Sequence, residues 1–362
     1  MHITILGTGN GATALAADLS LKGHSITMLK TSNSNIHNAH YTHLLESKGQ
    51  ITIRENGNEQ RTYIYKVTDN YEKCITPKTD IVIIFIQSNY HEQVIKKIAP
   101  HLNKNQLVLV EPGCLSTPYF LYEGMKDITI AEAESSPIDC RIVKPGIVEV
   151  LFRNVRNPIG IYPNIRASTA LKALNKLKYN FHLLDSVIEA ALHNPNIIVH
   201  TVGAIFSIPR IEYTTGEYWM YKEVFTPSIW SIVESLDKEK MELLDRLGLN
   251  KVSYVDKCLF RNSNNLSLNA KQVFCNYAQN HSPKGPIISN SRYITEDVSQ
   301  GLLLVELLGK ILNVETPVAS SLINLASAAL QINFRHHGRK YDPSTLSSFI
   351  EDNIYNENNQ PR

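Results

Sequence analysis

A glycine-rich turn between the first strand and the first helix constrains the fold of this chain most. The apolar residues 3–6 predict a short strand, and the Ala- and Leu-rich residues 12–21 predict a helix. The turn between them reads G-T-G-N-G-A, a G-x-G-x-x-A pattern with one extra glycine. In such a turn the first glycine reverses the chain, the second lets a pyrophosphate approach the backbone, and the small last residue keeps helix and sheet close. We therefore predict a dinucleotide site at Gly7, Gly9, Asn10, Gly11 and Ala12.

Strands and helices alternate through the first half of the chain and give way to helices in the second. Residues 80–86 form a continuous apolar run, typical of a parallel strand covered on both faces. Segments 51–53 and 63–67 predict a small antiparallel excursion. A length of 362 residues suits two domains. We predict an α/β fold, with an N-terminal Rossmann domain built on a doubly wound parallel sheet in residues 1–185 and an all-helical C-terminal domain in residues 186–362.

Composition excludes several classes of protein. The net charge is only +2, and the lysines and arginines are spread along the chain, so we expect no nucleic-acid partner. The five cysteines contain no CxxC pair, which indicates neither a disulfide framework nor a metal site. The apolar stretches fall short of the roughly 18 residues of a membrane span. Residues 1–5 run directly into the first strand, so we expect no secretory signal and a cytoplasmic location.

The end of the second strand bears on the choice of dinucleotide. NAD-selective sites place an Asp or Glu there to accept from the ribose 2′-hydroxyl, but no carboxylate occurs between Asp18 and Glu46. Lys30, Thr31 and Ser32 instead offer one positive charge and two hydroxyl groups to a 2′-phosphate. We therefore favour NADP(H) over NAD(H). The alternative is that Lys30 is an ordinary surface lysine and the cofactor is NAD(H).

The second domain carries side chains suited to hydride-transfer chemistry. Reduction of a C=O or C=N bond needs a proton donor, and a histidine held by a carboxylate provides one near neutral pH. An arginine binds a substrate carboxylate through two parallel hydrogen bonds. The segment N-P-N-I-I-V-H ends at His200, and the segment R-Y-I-T-E-D runs from Arg292 to Asp297.

These two segments, the GTGNGA turn and E-S-S-P-I-D-C-R from Glu134 to Arg141 resemble the opine dehydrogenases of the octopine/nopaline type. The resemblance extends from residue 5 to about residue 340. It implies that His200 is the acid/base, Asp297 its carboxylate partner and Arg292 the binder of the substrate carboxylate. It also implies reduction of the imine between an amino acid and an α-keto acid, which gives an N-(carboxyalkyl)amino acid. Two positions depart from the family pattern: Thr201 stands where a proline is frequent, and the Lys30 loop differs from that of NAD-dependent members.

Several alternatives stay open for the roles of single residues. His193 precedes His200 by two helical turns and is a rival acid/base, and Glu296 is a rival to Asp297 as the histidine partner. Four aromatic side chains suit either a substrate pocket or the core or an interface; they are Tyr213, Tyr218, Trp219 and Tyr221.

Two other functions also stay open. A dehydrogenase of the ketopantoate reductase or glycerol-3-phosphate dehydrogenase type needs a catalytic lysine, for which Lys222 and Lys271 are the candidates. A regulator that senses a dinucleotide without catalysis would bind the cofactor and turn nothing over. The identities of the amino acid and the keto acid, the direction of the reaction and the assembly, including a homodimer, are open.

Overall fold

Two structural units divide the chain, Met1–Val187 and Ile188–Arg362. The computed structural model describes residues 1–32 and 37–356. The predicted domain boundary, residue 185, falls in the connection between the last strand of the first unit and the helix that follows it.

The described residues of the first unit form twelve strands. They are β1 His2–Leu6, β2 Ser25–Leu29, β3 Gln50–Glu55, β4 Asn58–Tyr63, β5 Lys66–Thr68, β6 Ile81–Ile84, β7 Leu107–Val110, β8 Thr129–Ala133, β9 Ile138–Lys144, β10 Ile147–Arg153, β11 Asn157–Tyr162 and β12 Phe181–Leu183.

Eight of these strands form the main sheet, in the order β12-β11-β8-β7-β6-β1-β2-β5. Six neighbouring strands of this sheet are mutually parallel; they are β8, β7, β6, β1, β2 and β5. Their order is that of the dinucleotide-binding fold, 3-2-1-4-5-6. All four residues of β6 are buried, as expected for a central strand. The predicted fold class is confirmed, with one addition: β11 is antiparallel to β8, so the far edge of the sheet is mixed.

A second sheet of four strands covers the first helix, in the order β4-β3-β10-β9. The predicted segment 51–53 lies in β3, but its antiparallel partner is β4, which includes only Tyr63 of the predicted segment 63–67. Lys66 and Val67 of that segment lie in β5, which joins the main sheet parallel to β2, so the predicted pairing is wrong there. Strand β10 pairs in parallel with β3 and antiparallel with β9. Buried residues of the second sheet, Ile51, Ile53 and Val148, belong to the same core as Ala14 and Ala17 of the helix.

The helices of the first unit are α1 Asn10–Leu21, α2 Asn38–Glu46, α3 His91–Ile98, α4 Thr117–Tyr122 and α5 Ala167–Leu174. Helix α1 starts within the glycine-rich turn, at Asn10, and buries eight residues. His40 fixes α2 to its neighbours: Nδ1 accepts from the Gly146 amide at 3.0 Å, so Nε2 carries the proton that it donates to Thr13 Oγ1 at 3.0 Å. Burial lowers the pKa of His40 to about 4.

The described part of the second unit is helical and contains no strand. Its helices are α6 Val187–Leu192, α7 Asn196–Ile205, α8 Ile208–Thr214, α9 Met220–Glu223, α10 Pro227–Arg246, α11 Tyr254–Asn262, α12 Ala270–Asn280, α13 Arg292–Thr295, α14 Leu303–Leu312, α15 Pro317–Leu330, α16 Phe334–His337 and α17 Pro343–Ile350. Two π-helical segments, Asp297–Leu302 and Glu351–Asn356, complete it.

The π-helical segment Asp297–Leu302 lies at the centre of the second unit, and all six of its residues are buried. It packs against α7, α13, α14 and α15. A π-helical segment within a longer helix frequently marks a functional site, because the wider turn redirects side chains. Here it follows the one-turn helix α13 and precedes α14.

Candidate active site

The glycine turn of the first unit has the geometry of a phosphate loop. Gly7 has a φ of +129°, and a Cβ at this position would lie 2.3 Å from the Phe85 carbonyl oxygen. A Cβ at Gly11 would lie 2.2 Å from the Phe85 ring, so both glycines are required by close packing. Gly9 is different: the nearest atom to a Cβ there is in the ring of His37, at 3.7 Å. Among the described residues, a Cβ at Gly9 would thus meet only ordinary contact with the His37 ring and no clash, so packing does not require a glycine here.

The N-terminus of α1 fits the same role. Gly9 caps the helix without a side-chain hydrogen bond, and no acidic residue lies in the first turn. Such an end presents backbone N–H groups and a partial positive charge to an anion. The side chain of Asn10 is turned elsewhere, because its Oδ1 accepts from the Ile142 amide at 2.9 Å. Ala12 is fully buried against the sheet.

The residues after β2 form an ordered loop up to Ser32. The Lys30 amide donates to the Thr68 carbonyl at 2.9 Å, and the Tyr71 hydroxyl donates to the Thr31 carbonyl at 3.1 Å. The Lys30 ammonium donates to the Ser32 carbonyl and lies 5.6 Å from the centroid of the Tyr41 ring. The Lys30 ammonium is thus held next to its own loop.

His200 and Asp297 form a hydrogen-bonded pair in the second unit. His200 Nδ1 lies 2.8 Å from Asp297 Oδ2. Both residues are buried, with 8% and 7% of their surfaces exposed. A carboxylate accepts only, so Nδ1 is the donor and Nε2 is left as the nitrogen that can face a substrate. Helix α7 provides the histidine and the first residue of the π-helical segment provides the aspartate.

Helix α7 runs without interruption through the position where the family frequently has proline. The hydroxyl of Thr201 donates to the Ile197 carbonyl at 2.5 Å, within the same helix. The departure at Thr201 therefore leaves the local helix intact around His200.

Arg292 begins α13 and is paired with Glu296 rather than with Asp297. Its Nε lies 3.3 Å from Glu296 Oε2, and 46% of the arginine side chain is exposed. Glu296, followed by Asp297, raises the pKa of Arg292. The arginine is thus a permanent cation with an accessible guanidinium on the turn that precedes Asp297. Glu296, the rival partner of His200, faces Arg292.

The ring of Tyr293 lies flat on the imidazole of His200. The two ring centroids are 3.9 Å apart, and the planes are inclined by 3°. Tyr293 is not among the site residues predicted from the sequence. Its place inside the R-Y-I-T-E-D segment is the only signal that pointed toward it.

His193 occupies a different environment from His200. It lies in the connection after α6, outside α7, and only 3% of its surface is exposed. Its Nε2 is 3.9 Å from Glu189 Oε1. Burial, and then the nearby cations Lys240, Lys257 and Arg261, lower the pKa of His193. It is a neutral residue of the interior.

The other aromatic and lysine candidates differ in their exposure and in the side chains that they contact. Tyr218 is fully buried, and its hydroxyl lies 3.0 Å from Ser207 Oγ. Tyr213 is 88% exposed. The Lys222 ammonium lies 5.4 Å from the centroid of the Trp219 ring. Lys271 pairs with Glu234 at 3.3 Å and lies 4.5 Å from the centroid of the Trp230 ring.

Tyr221 belongs to an aromatic cluster, with ring centroids 6.2 Å from Phe274 and 5.7 Å from Tyr277. Of the four aromatic candidates, Tyr221 therefore lies in an aromatic cluster of the helical unit.

Sequence reasoning also missed two polar residues near the edge of the sheet where a dinucleotide binds. His37 lies beside Gly9. Glu132, at β8, accepts from the amides of Cys114 and Thr117 at 3.1 and 2.8 Å and so holds the loop after β7. Neither residue lies in a recognisable local pattern.

The part of the chain that the structure describes contains no group of three potential metal ligands among its His, Cys, Asp and Glu side chains. Within those same residues, no helix combines the length and apolar character that crossing a bilayer requires.

The first unit, with its strand order and glycine turn, is a Rossmann dinucleotide-binding domain, and the helical unit carries a buried, hydrogen-bonded histidine–carboxylate pair. These features define a two-domain NAD(P)-dependent oxidoreductase. The family model described as "NAD/NADP octopine/nopaline dehydrogenase, alpha-helical domain" matches residues 183–330, and that described as "Ketopantoate reductase PanE/ApbA" matches residues 3–111. The chain is an oxidoreductase of the opine dehydrogenase type, and the resemblance predicted from its sequence is confirmed.

Relatives match along nearly the whole chain. An opine dehydrogenase of Arthrobacter sp. (strain 1C) is 27% identical over 348 residues, which cover 95% of this chain and 94% of that protein. An octopine dehydrogenase solved with NADH and L-arginine matches with a TM-score of 0.70 and 17% identity, covering 91% of this chain and 90% of that one. A yersinopine dehydrogenase with bound NADP+ matches with a TM-score of 0.74 and 16% identity, covering 98% and 99%.

Proposed function

We propose that His200 is the acid/base of a reductive condensation, in which an amino acid and an α-keto acid form an imine that is reduced to an N-(carboxyalkyl)amino acid. The observation that carries this proposal is the 2.8 Å contact between His200 Nδ1 and Asp297 Oδ2. It sets the tautomer of the imidazole, so that Nε2 is basic in the neutral ring and acidic in the charged one.

The protons of this reaction define what His200 must do. Counted from the ammonium form of the amino acid, the nitrogen loses two protons when the imine forms and the carbonyl oxygen leaves with them as water, so one proton remains on the nitrogen. Nε2 accepts a proton from the attacking amine and returns one to the departing oxygen. Reduction then adds a hydride at carbon, and the nitrogen retains one proton in the product amine. Asp297 stabilises the charged imidazole between these transfers.

Arg292 binds the carboxylate of the keto acid. Its guanidinium is accessible, and its planar fork matches a carboxylate through two parallel hydrogen bonds. Glu296 holds the arginine in place through Nε, which leaves the two terminal nitrogens for the substrate. Pyruvate, the smallest common keto acid with this carboxylate, is the first to test.

The residues that hold the dinucleotide are those of the glycine turn, Gly7 to Ala12, and of the loop Lys30 to Ser32. The dinucleotide supplies the hydride when bound. The ammonium of Lys30 and the absence of a carboxylate between Asp18 and Glu46 support NADP(H) over NAD(H). Relatives with this fold bind NADH in one case and NADP+ in another. A cytoplasmic location stays a prediction, and the oligomeric state stays open.

The test is a panel of α-keto acids crossed with amino acids, followed by the absorbance of NADPH and, separately, of NADH. The proposal expects oxidation of the cofactor only when both substrates are present, with the mass of an N-(carboxyalkyl)amino acid in the product. Oxidation with a keto acid alone would indicate a ketopantoate reductase-type enzyme instead. Cofactor binding without turnover across the panel would favour a dinucleotide-sensing regulator.

A further inference from the structure

We infer that Tyr293 is a positioning residue for His200: its stacked ring holds the imidazole in the plane where Nδ1 meets Asp297, and it favours the imidazole in its charged state. The inference rests on the proposed role of His200 as the acid/base. It adds to that role the group that restrains the face of the imidazole, whereas the hydrogen bond to Asp297 acts in the plane of the ring.

One hydrogen bond alone does not fix an imidazole. With Nδ1 bound to Asp297, the ring can still turn about the line through this contact, and Nε2 moves as it turns. The ring of Tyr293, 3.9 Å away and inclined by only 3°, covers one whole face of the imidazole. The hydrogen bond fixes the direction in which Nδ1 points, and the stack fixes the plane of the ring. Nε2 is then the one nitrogen left to the substrate, in a defined position.

Tyr293 is itself held firmly. It lies in α13, which packs against both α7 and the π-helical segment, and its neighbour Ile294 is fully buried. Tyr293 is also close to Tyr218, whose hydroxyl contacts Ser207 just beyond the end of α7. Burial, with Tyr293 adding to the effect, raises the pKa of Tyr218 to about 12, so this hydroxyl stays neutral. Tyr293 thus contacts His200 in the middle of α7, and Tyr218 contacts Ser207 beyond its C-terminal end.

Residues 292–297 provide three side chains of the candidate site. Arg292, Tyr293 and Asp297 lie within six consecutive residues, and α13 passes directly into the π-helical segment. The arginine is accessible, the tyrosine covers the imidazole, and the aspartate accepts its hydrogen bond. A displacement of this segment would therefore move the carboxylate binder and the acid/base support together.

The face of an aromatic ring attracts a cation, and this attraction is larger where water is excluded. His200 becomes positive when Nε2 accepts a proton, so the ring of Tyr293 favours that state over the neutral one. Loss of the ring is expected to lower kcat about 3- to 30-fold, the range of such an attraction expressed as a rate. The tyrosine hydroxyl plays no part in this effect, so a phenylalanine is expected to replace it.

The experiment compares Tyr293→Phe, Tyr293→Leu and the control Tyr65→Leu, which removes a tyrosine that is 74% exposed. We expect kcat within about twofold of the parent for Tyr293→Phe and Tyr65→Leu, and a loss of about 3- to 30-fold for Tyr293→Leu. The dissociation constant of NADPH and the KM of the keto acid are expected to stay within about twofold in all three. Should Tyr293→Leu fail to fold, Tyr293→Met is measured by the same criteria.

A fourth protein separates this inference from the proposed function. In a His200→Ala background, Tyr293→Leu is expected to leave kcat unchanged, because no imidazole remains to be held. A full further loss there would overturn the inference, as would an unchanged kcat in Tyr293→Leu or an equal loss in Tyr293→Phe. Full activity of His200→Ala would instead overturn the proposed function, and the inference with it.

Discussion

The backbone of Gly301 lies against Ile197 so closely that a Cβ added at Gly301 would stand 2.8 Å from Ile197 Cγ1. Gly301 belongs to the π-helical segment that begins with Asp297, and Ile197 lies one turn before His200 on α7. The absence of a side chain at Gly301 therefore sets the spacing of the two elements that form the histidine–aspartate pair.

This spacing predicts the effect of Gly301→Ala. The new methyl group must push α7 and the π-helical segment apart, because Cγ1 of a β-branched side chain cannot swing aside freely. We expect kcat to fall about tenfold or more and the free energy of unfolding to fall by about 1–3 kcal/mol. The control is Gly248→Ala, at a φ of +70° with open space around it. It should lose about 1 kcal/mol of stability and keep its kcat; equal losses of kcat in both would contradict the account.

Two glycines of the phosphate turn are expected to behave in opposite ways. Gly9→Val places its Cβ at ordinary contact distance from the His37 ring, 3.7 Å, so the protein should fold normally while the dissociation constant of NADPH rises about tenfold or more. Gly7→Ala places a Cβ 2.3 Å from the Phe85 carbonyl oxygen at a positive φ, so stability itself should fall by several kcal/mol. Calorimetric titration and thermal melts separate the two effects. An unchanged affinity in Gly9→Val would remove the turn from the cofactor site.

Much of the first unit is predictable because its signals are local. A glycine turn after a strand, and a central strand of continuous apolar residues such as Ile81–Ile84, are each read from a few neighbouring positions. The pairing of β10 with β3 cannot be predicted in this way, because it joins segments far apart in the chain. Neither segment contains a local pattern that identifies its partner. The position of strand Lys66–Thr68 at the edge of the main sheet likewise depends on its pairing with β2, which is distant in the sequence.

The active-site pair was predicted from the resemblance rather than from spacing. His193 and His200 look equivalent in sequence, and only the end of α6 and the start of α7 between them place the two rings in different surroundings. The choice between Glu296 and Asp297 depends on the π-helical geometry after Thr295, which has no sequence signature of its own. The stack of Tyr293 on His200 likewise exists only in three dimensions.

Arg292→Lys tests the substrate carboxylate site. Lysine keeps the charge but loses the two parallel hydrogen bonds, so the KM of the keto acid should rise about tenfold or more. The KM of NADPH should change by less than about twofold. Steady-state kinetics with one substrate varied at a time provides both values. An equal rise in both would mean that Arg292 supports structure rather than substrate.

Lys30→Ala tests the proposed cofactor preference. If the ammonium meets a 2′-phosphate, kcat/KM with NADPH should fall about tenfold while kcat/KM with NADH stays within about twofold. Lys96→Ala, which removes an exposed lysine of α3, is the matched control and should change neither value. A parent protein with the higher kcat/KM for NADH would refute the preference before any variant is made.

The proposed chemistry requires that His200 and Asp297 act as one unit, and a double-mutant cycle on kcat measures this directly. His200→Ala should lower kcat about 10²- to 10⁴-fold with little change in NADPH affinity. Asp297→Asn should also lower kcat strongly, because the amide no longer stabilises the charged imidazole or sets its tautomer. The double variant should be little worse than His200→Ala alone, since Asp297 then has no ring to orient. Fully additive losses, or a His200→Ala protein with nearly parental kcat, would contradict the account.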